Sequence, residues 1–284
     1  TLKRMYNSTN TDSGSTARGL ITLNGKSDCK IQGLQIDGNK ATYTSSYNYG
    51  IHLYSSSNNT ITDNTCNNND YGIILDLSNN NTITDNTCNN NNNYGIRLYS
   101  SSDNTVTGNT CNNNNYGIRL YSTSDDNTVT GNTCNNNDYG IQLYSSSDNT
   151  VTGNTCNNND YGIYLNLSSD NTVTGNTCNN NDYGIYLYSS NNNNTITGNT
   201  CNNNNNYGIR LYSSSNNTIT GNTCIRGTGQ TSDYASDQYT IQLQGTNNYN
   251  LISSNNCMGK AVVIVGGTGN SVRGNKFDAT DDLP

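Results

Sequence analysis

Apolar and polar positions alternate in short runs along almost the whole chain. In the stretch that begins at Tyr139, Ile141 and Leu143 fall on one face while Gln142 and Tyr144 fall on the other. Val151 is flanked by Thr150 and Thr152, and Cys156 by Thr155 and Asn157. A period of two is the strand period. The alternation breaks between Val151 and Asn154, which predicts a bend at Gly153; Asp63 and Asp85 stand at that place in two other copies. Gly and Asp tolerate the left-handed turn conformation that such a bend requires. The same pattern recurs throughout. Tyr-Gly-Ile appears at Tyr49, Tyr71, Tyr94, Tyr116, Tyr139, Tyr161, Tyr183 and Tyr207, with glycine spacings of 22 to 24. Degenerate halves lie at Asp28–Asn39, Asn250–Cys257 and Asn270–Phe277. Three short strands and three corners in about 22 residues predict an all-β parallel β-helix, because one coil cannot bury its apolar side alone and stacking supplies the core. We expect about eleven coils and a rod about 50 Å long, at roughly 4.8 Å per coil.

Composition narrows the remaining choices. Leu, Ile, Val and Phe make up roughly a sixth of the 284 residues, a fraction that suggests disorder only when net charge is high; here it is -7. A helical protein is excluded, since Glu is absent and Asn, at about 62 residues, Ser, Thr and Gly are poor in helix interiors. The longest apolar run, 261–265, is far short of the roughly 20 residues of a membrane span. Thirteen basic residues face twenty acidic ones without a basic cluster, which argues against a nucleic-acid partner.

The repeat unit carries a resemblance. Its Asn-Asn-Thr-Ile-Thr-Gly-Asn core, as at Asn216–Asn222, resembles the right-handed parallel β-helix repeats of the pectate-lyase-like superfamily. It is most similar to NosD-type and carbohydrate-binding or sugar-hydrolase repeat proteins of archaeal and bacterial surfaces. The resemblance covers residues 19–278. It implies a right-handed solenoid strongly and a function only weakly, because the repeat recurs in lyases, hydrolases, binding proteins and structural proteins. The expected organisation is an N-terminal cap or linker at 1–18, the β-helix at 19–278 with insertions at 37–49 and 225–239, and a tail at 279–284.

Stacking turns every repeat position into a file of side chains. Asn64, Asn86, Asn109 and their equivalents to Asn275 follow the bend and should point inward, as amides that bond from coil to coil; the superfamily resemblance implies an asparagine ladder at such a turn. Cys66 to Cys257 form a second file, whose equivalents Ile36 and Phe277 mark it as apolar and internal. Disulfides between neighbouring coils and a metal array are the rival readings. Paired Thr at Thr60/Thr62 through Thr218/Thr220 face outward. They resemble the ice-binding face of β-solenoid antifreeze proteins, although outward Thr is also a good β-former.

The Gly-Ile-x-Leu-Tyr strand bears the candidate ligand residues: Arg97, Tyr99, Arg119, Tyr121, Tyr144, Tyr186, Tyr188 and Arg210. Tyr and Arg on a flat sheet suit sugar rings and acidic groups through stacking and bidentate hydrogen bonds. Both insertions leave the rod just before this strand. Cys-to-Gly spacing is usually 6 or 7, but 14 from Ile36 to Gly50 and 16 from Cys224 to Thr240. With Tyr43, Tyr47 and Tyr234 they are expected to wall a groove or to shield the rod's ends.

His52, the sole His, with Asp76 and Arg97 forms the candidate catalytic group for acid–base chemistry on a uronide, with Asp76 expected to neutralise Arg97. Drift within the repeat explains these departures equally. Aspartate triplets followed by His-Gly, the Arg-x-Lys of polygalacturonase-like enzymes and the acidic cluster of a pectate lyase are all missing. Asp63 and Asp85 suit either weak Ca²⁺ binding or simply the turn; no other cofactor is expected. The chain begins without Met or an apolar leader and reads as a processed chain or a fragment. Six Asn-x-Ser/Thr acceptors, among them Asn58 and Asn216, fit an extracellular, cell-surface location. The expected role is therefore structural, adhesive or polysaccharide-binding, with an acidic glycan as partner and self-assembly through the solenoid ends as a further expectation. A polysaccharide lyase or hydrolase and an ice-binding protein are the alternatives.

Overall fold

The computed structural model describes residues 1–7, 18–189, 191–225, 239–258 and 262–277. These residues form strands and turns and contain no helix. Every strand pairing is parallel. An eleven-stranded sheet, here the Tyr sheet, runs from Gly19–Asn24 through Tyr49–Tyr54 and its repeats to Val263–Val265. A second eleven-stranded sheet, the Thr sheet, runs from Lys30–Gln32 through Thr60–Thr62 to Ser271–Arg273. The third side is narrower. It begins as a sheet of Leu2–Lys3, Gln35–Asp37 and Thr65–Asn67, and continues as single bridges from Thr65–Thr87 to Thr223–Asn256. The solenoid makes about nine turns rather than the eleven expected.

The core is a set of apolar files. Ile and Leu of the Tyr sheet, the Val or Ile between paired Thr, and the Cys of the third side are fully buried in every regular coil. The nine file cysteines are unpaired, as is the half-exposed Cys29. Burial pushes the thiols of Cys111, Cys156, Cys178 and Cys201 up. The glycine of Tyr-Gly-Ile has a packing reason. A Cβ on Gly140 would lie 2.5 Å from Gly162 O and 3.0 Å from both Asn159 Nδ2 and Cys156 Cβ. The position must be empty for the third side to close against the Tyr sheet.

Each corner is lined by buried amides or hydroxyls. Asn64 donates its backbone NH to Asn86 Oδ1 at 3.0 Å, and Asn86 to Asn109 at 2.9 Å. Two further asparagine files, from Asn59 and from Asn69, bond in the same way. A Ser file starts with Ser56, whose NH donates to Ser78 Oγ at 3.0 Å. The bend residues take positive φ whether Asp (Asp63 55°, Asp85 54°) or Gly (Gly153 63°). Asp63 and Asp85 thus supply the turn. Asp63 Oδ2 accepts from Gln32 and Asp85 Oδ2 from Thr84.

The N-terminal strand adds to the third side, and Arg4 is fully buried, donating to Tyr49 O at 2.7 Å and Arg18 O at 3.2 Å. The first insertion packs back on the rod. Lys40 Nζ donates to Asn90 O, and Asn48 O accepts from Asp70 N at 2.9 Å. Residues 8–17 of the expected cap, 226–238 of the second insertion (with Tyr234) and the tail 279–284 lie outside the described residues.

Candidate functional site

The outer surface of the Tyr sheet has three files, one more than alternation indicates. Gly140 and Ile141 both face inward, which throws Tyr139 outward beside Gln142 and Tyr144. The tyrosines of Tyr-Gly-Ile therefore form a continuous stack. Ring centroids are 5.0 Å apart for Tyr94–Tyr116, 4.8 Å for Tyr116–Tyr139 and Tyr139–Tyr161, and 4.9 Å for Tyr161–Tyr183. Burial, then neighbouring phenols and carboxylates, pushes the Tyr139 phenol up to about 12, so this ring keeps its proton at neutral pH and can donate a hydrogen bond. The invariance of this Tyr was the signal for the file; only the broken alternation hid its face.

The guanidinium groups lie among these rings. Arg97 is in register with Arg119 on the next strand. Arg97 sits 4.9 Å from the Tyr99 ring centre and 5.6 Å from that of Tyr94. Arg119 sits 4.5 Å from Tyr121 and 4.8 Å from Tyr116, and its Nη1 donates to Tyr94 Oη at 2.6 Å. Arg210 lies farther along, 4.8 Å from Tyr207 and 5.1 Å from Tyr186, with Nη2 donating to Gln244 Oε1. Among the described residues none of the three has a carboxylate within ion-pair distance; the recorded pairs are Lys3–Asp37 and His52–Asp76. Cation–π contact partly offsets the cost of adjacent like charges, which is roughly 1–3 kcal/mol near 5 Å in a high-dielectric surface.

Tyr144 continues the outer file from Tyr121 at 5.3 Å, and Tyr188 is 39% exposed. Tyr186 is only 7% exposed: it is packed among Tyr183, Tyr164 and Arg210 and supports the surface rather than forming it, against expectation. Of the expected catalytic group, His52 and Asp76 are brought together and Arg97 is not ion-paired with them. His52 is fully buried, with Nε2 2.9 Å from Asp76 Oδ2 and Nδ1 without a recorded partner. Asp76 is thus engaged by His52, and no ion pair joins it to Arg97.

The sequence matches the model of the family described as periplasmic copper-binding protein (NosD), over residues 3–159 and 140–282. No curated protein matches it. Among solved structures, the chain is similar to the A-module of the Azotobacter vinelandii mannuronan C-5 epimerase AlgE4 (17% identity, TM-score 0.73, covering 98% of this chain and 78% of that one). It is also similar to the periplasmic alginate epimerase AlgG (20%, TM-score 0.56, 90% and 61%) and the Dettilon tailspike protein (19%, TM-score 0.66, 90% and 57%). The chain shares the right-handed parallel β-helix of these proteins, and at such identity the likeness is one of fold.

The family description names copper, which soft thiolate, thioether or imidazole donors would hold. The described residues do not fit it. The thiols form a buried column, each with neighbours above and below rather than a converging set, and His52 is committed to Asp76. Among the described residues no group of three or more His, Cys, Asp or Glu is placed to hold a metal ion.

Proposed function

Because the chain belongs to the NosD family and presents a strip of Tyr and Arg along one sheet, we propose that it is a periplasmic or extracellular polysaccharide-binding β-helix whose ligand is an acidic glycan. The observation that carries this reading is the register pair Arg97–Arg119, clamped between tyrosine rings and, among the described residues, lacking any carboxylate partner. A planar guanidinium recognises a carboxylate or sulfate bidentately, and the flanking rings offer a face to the apolar side of a sugar. The names of two structural neighbours, the mannuronan and alginate epimerases, and the periplasmic naming of AlgG and of the family support an acidic polysaccharide and the location. Catalysis is not part of the proposal, since the only imidazole is fully enclosed.

The test is an array of uronate-containing, sulfated and neutral oligosaccharides, read for retention and for chain length. Retention of acidic glycans at unchanged length is expected. Equal retention of neutral glycans, or none at all, contradicts the assignment, and shortened or unsaturated products turn it into an enzyme.

A further inference from the structure

The second regular surface of the rod, the Thr sheet, has no part in the site above. Two threonines per coil stand on this sheet through eight coils, from Thr60 and Thr62 to Thr218 and Thr220, and all but the buried Thr62 are at least partly exposed. Strands pair without slip: Thr105 with Thr128 and Thr128 with Thr150, Thr107 with Thr130 and Thr130 with Thr152. The result is a two-dimensional grid with repeats of about 4.8 Å between coils and about 6.6 Å along each strand.

Other outward positions that recur in every regular coil have an internal reason. The Tyr file stacks on itself, and the Asn67 file bonds from coil to coil, Asn67 Oδ1 accepting from Asn89 N at 2.8 Å. The threonines lack such a reason. Among the described residues, no hydroxyl of the file from Thr60 to Thr218 has a recorded protein partner, and in its companion file only Thr84, Thr130, Thr197 and Thr220 have one. Simple copying of the repeat does not account for them either. The residue between Ile and Leu varies from His52 to Ile74, Arg97, Gln142 and Tyr164, while both threonines persist. Strand propensity alone would accept Val, Ile or Tyr equally well.

No strand from Thr60–Thr62 to Thr218–Thr220 carries a charge. Each threonine presents a methyl group, which orders the water around it, and a hydroxyl, which anchors that water. An extended glycan is periodic in one direction. A surface periodic in two directions matches a partner with the same property, and a crystal face of ice, a two-dimensional array of hydrogen-bonding oxygens, has it. We propose that the Thr sheet is an ice-binding surface, separate from the glycan strip on the Tyr sheet. The buried asparagine files on either side of it, from Asn59 and Asn64, hold the grid rigid.

The test uses the full chain in thermal-hysteresis and ice-partition measurements. Substitutions Thr130→Tyr and Thr150→Tyr place a bulky but strand-compatible side chain in the middle of the grid, and Thr150→Ser removes only the methyl. Asn92→Lys, on an exposed corner, serves as the control. The expected result is hysteresis with faceted crystals for the wild type and Asn92→Lys. The Tyr variants lose most of it at an unchanged melting temperature, and Thr150→Ser, which covers the case of a misfolded Tyr variant, loses more than half. A folded wild type that neither shapes ice nor enters it, or Thr variants that match the wild type, overturns the proposal.

Discussion

Asn132 joins three coils. Its Nδ2 donates to Val106 O in the coil before and to Asn154 Oδ1 in the coil after, both at 2.9 Å, and its Oδ1 accepts from Asn109 N. Asn132→Leu fills the space but leaves these buried groups unpaired, and should cost roughly 1–3 kcal/mol, read as a lowered urea midpoint; an unchanged midpoint contradicts the role. Asp70 offers a residue-scale test of the opposite sign. It is almost fully buried, Oδ1 accepts from Asn93 Nδ2, and Oδ2 has no recorded partner. Burial raises its pKa from 3.8 to about 6, against the pull of Asn93 and Lys40. Since the folded value lies above the unfolded one, the ionised form is disfavoured on folding, and stability falls as pH rises from about 4 to about 6. Asp70→Asn should remove that fall and gain about 1–2 kcal/mol at pH 8 after allowance for screening. Parallel pH profiles of the two proteins would contradict this. The Asn64 file was legible because it follows the bend at a fixed distance. The files from Asn59 and Asn69 were not, because within Asn67-Asn68-Asn69 identical residues take three roles: Asn67 accepts from the next coil, Asn68 turns at φ 56°, and Asn69 is buried.

At the scale of the strand, alternation placed Ile141, Leu143, Val151 and Cys156 inside and Gln142 and Tyr144 on the outer face, as the structure does. It failed at Gly140, where two consecutive inward residues reverse the face of Tyr139. The tyrosine stack thus needed the contact between coils, which no single repeat displays. The same contact governs the cysteines. Seven of the nine file cysteines pack against the empty glycine position and all nine are buried, whereas Cys29 at the first coil is partly open. A maleimide or Ellman reagent should therefore label about one of the ten thiols in the native chain and all ten after denaturation. Labelling of several thiols without unfolding, or a native mass lower by two hydrogens per cysteine pair, contradicts the closed column.

The whole molecule separates its surfaces by chemistry. Tyr and Arg occupy one long sheet, uncharged Thr the other, and amides seal the corners. A rod of about nine turns built in this way presents sites in rows rather than in a pocket, which suits an extended polymer. Binding carried by half-buried guanidinium groups at the surface weakens with salt, because screening shortens to about 8 Å at physiological ionic strength. The most direct measurement is calorimetric titration of polygalacturonate and alginate oligomers into the wild type, the Arg97→Ala/Arg119→Ala double variant and the Thr130→Ala/Thr152→Ala double variant, at low and at physiological salt. The Tyr-strip assignment predicts salt-sensitive binding that falls at least tenfold, about 1.4 kcal/mol, in the arginine variant and is unchanged in the threonine variant. Binding that survives loss of both arginines and disappears with the threonines would place the ligand on the other sheet and contradict the account.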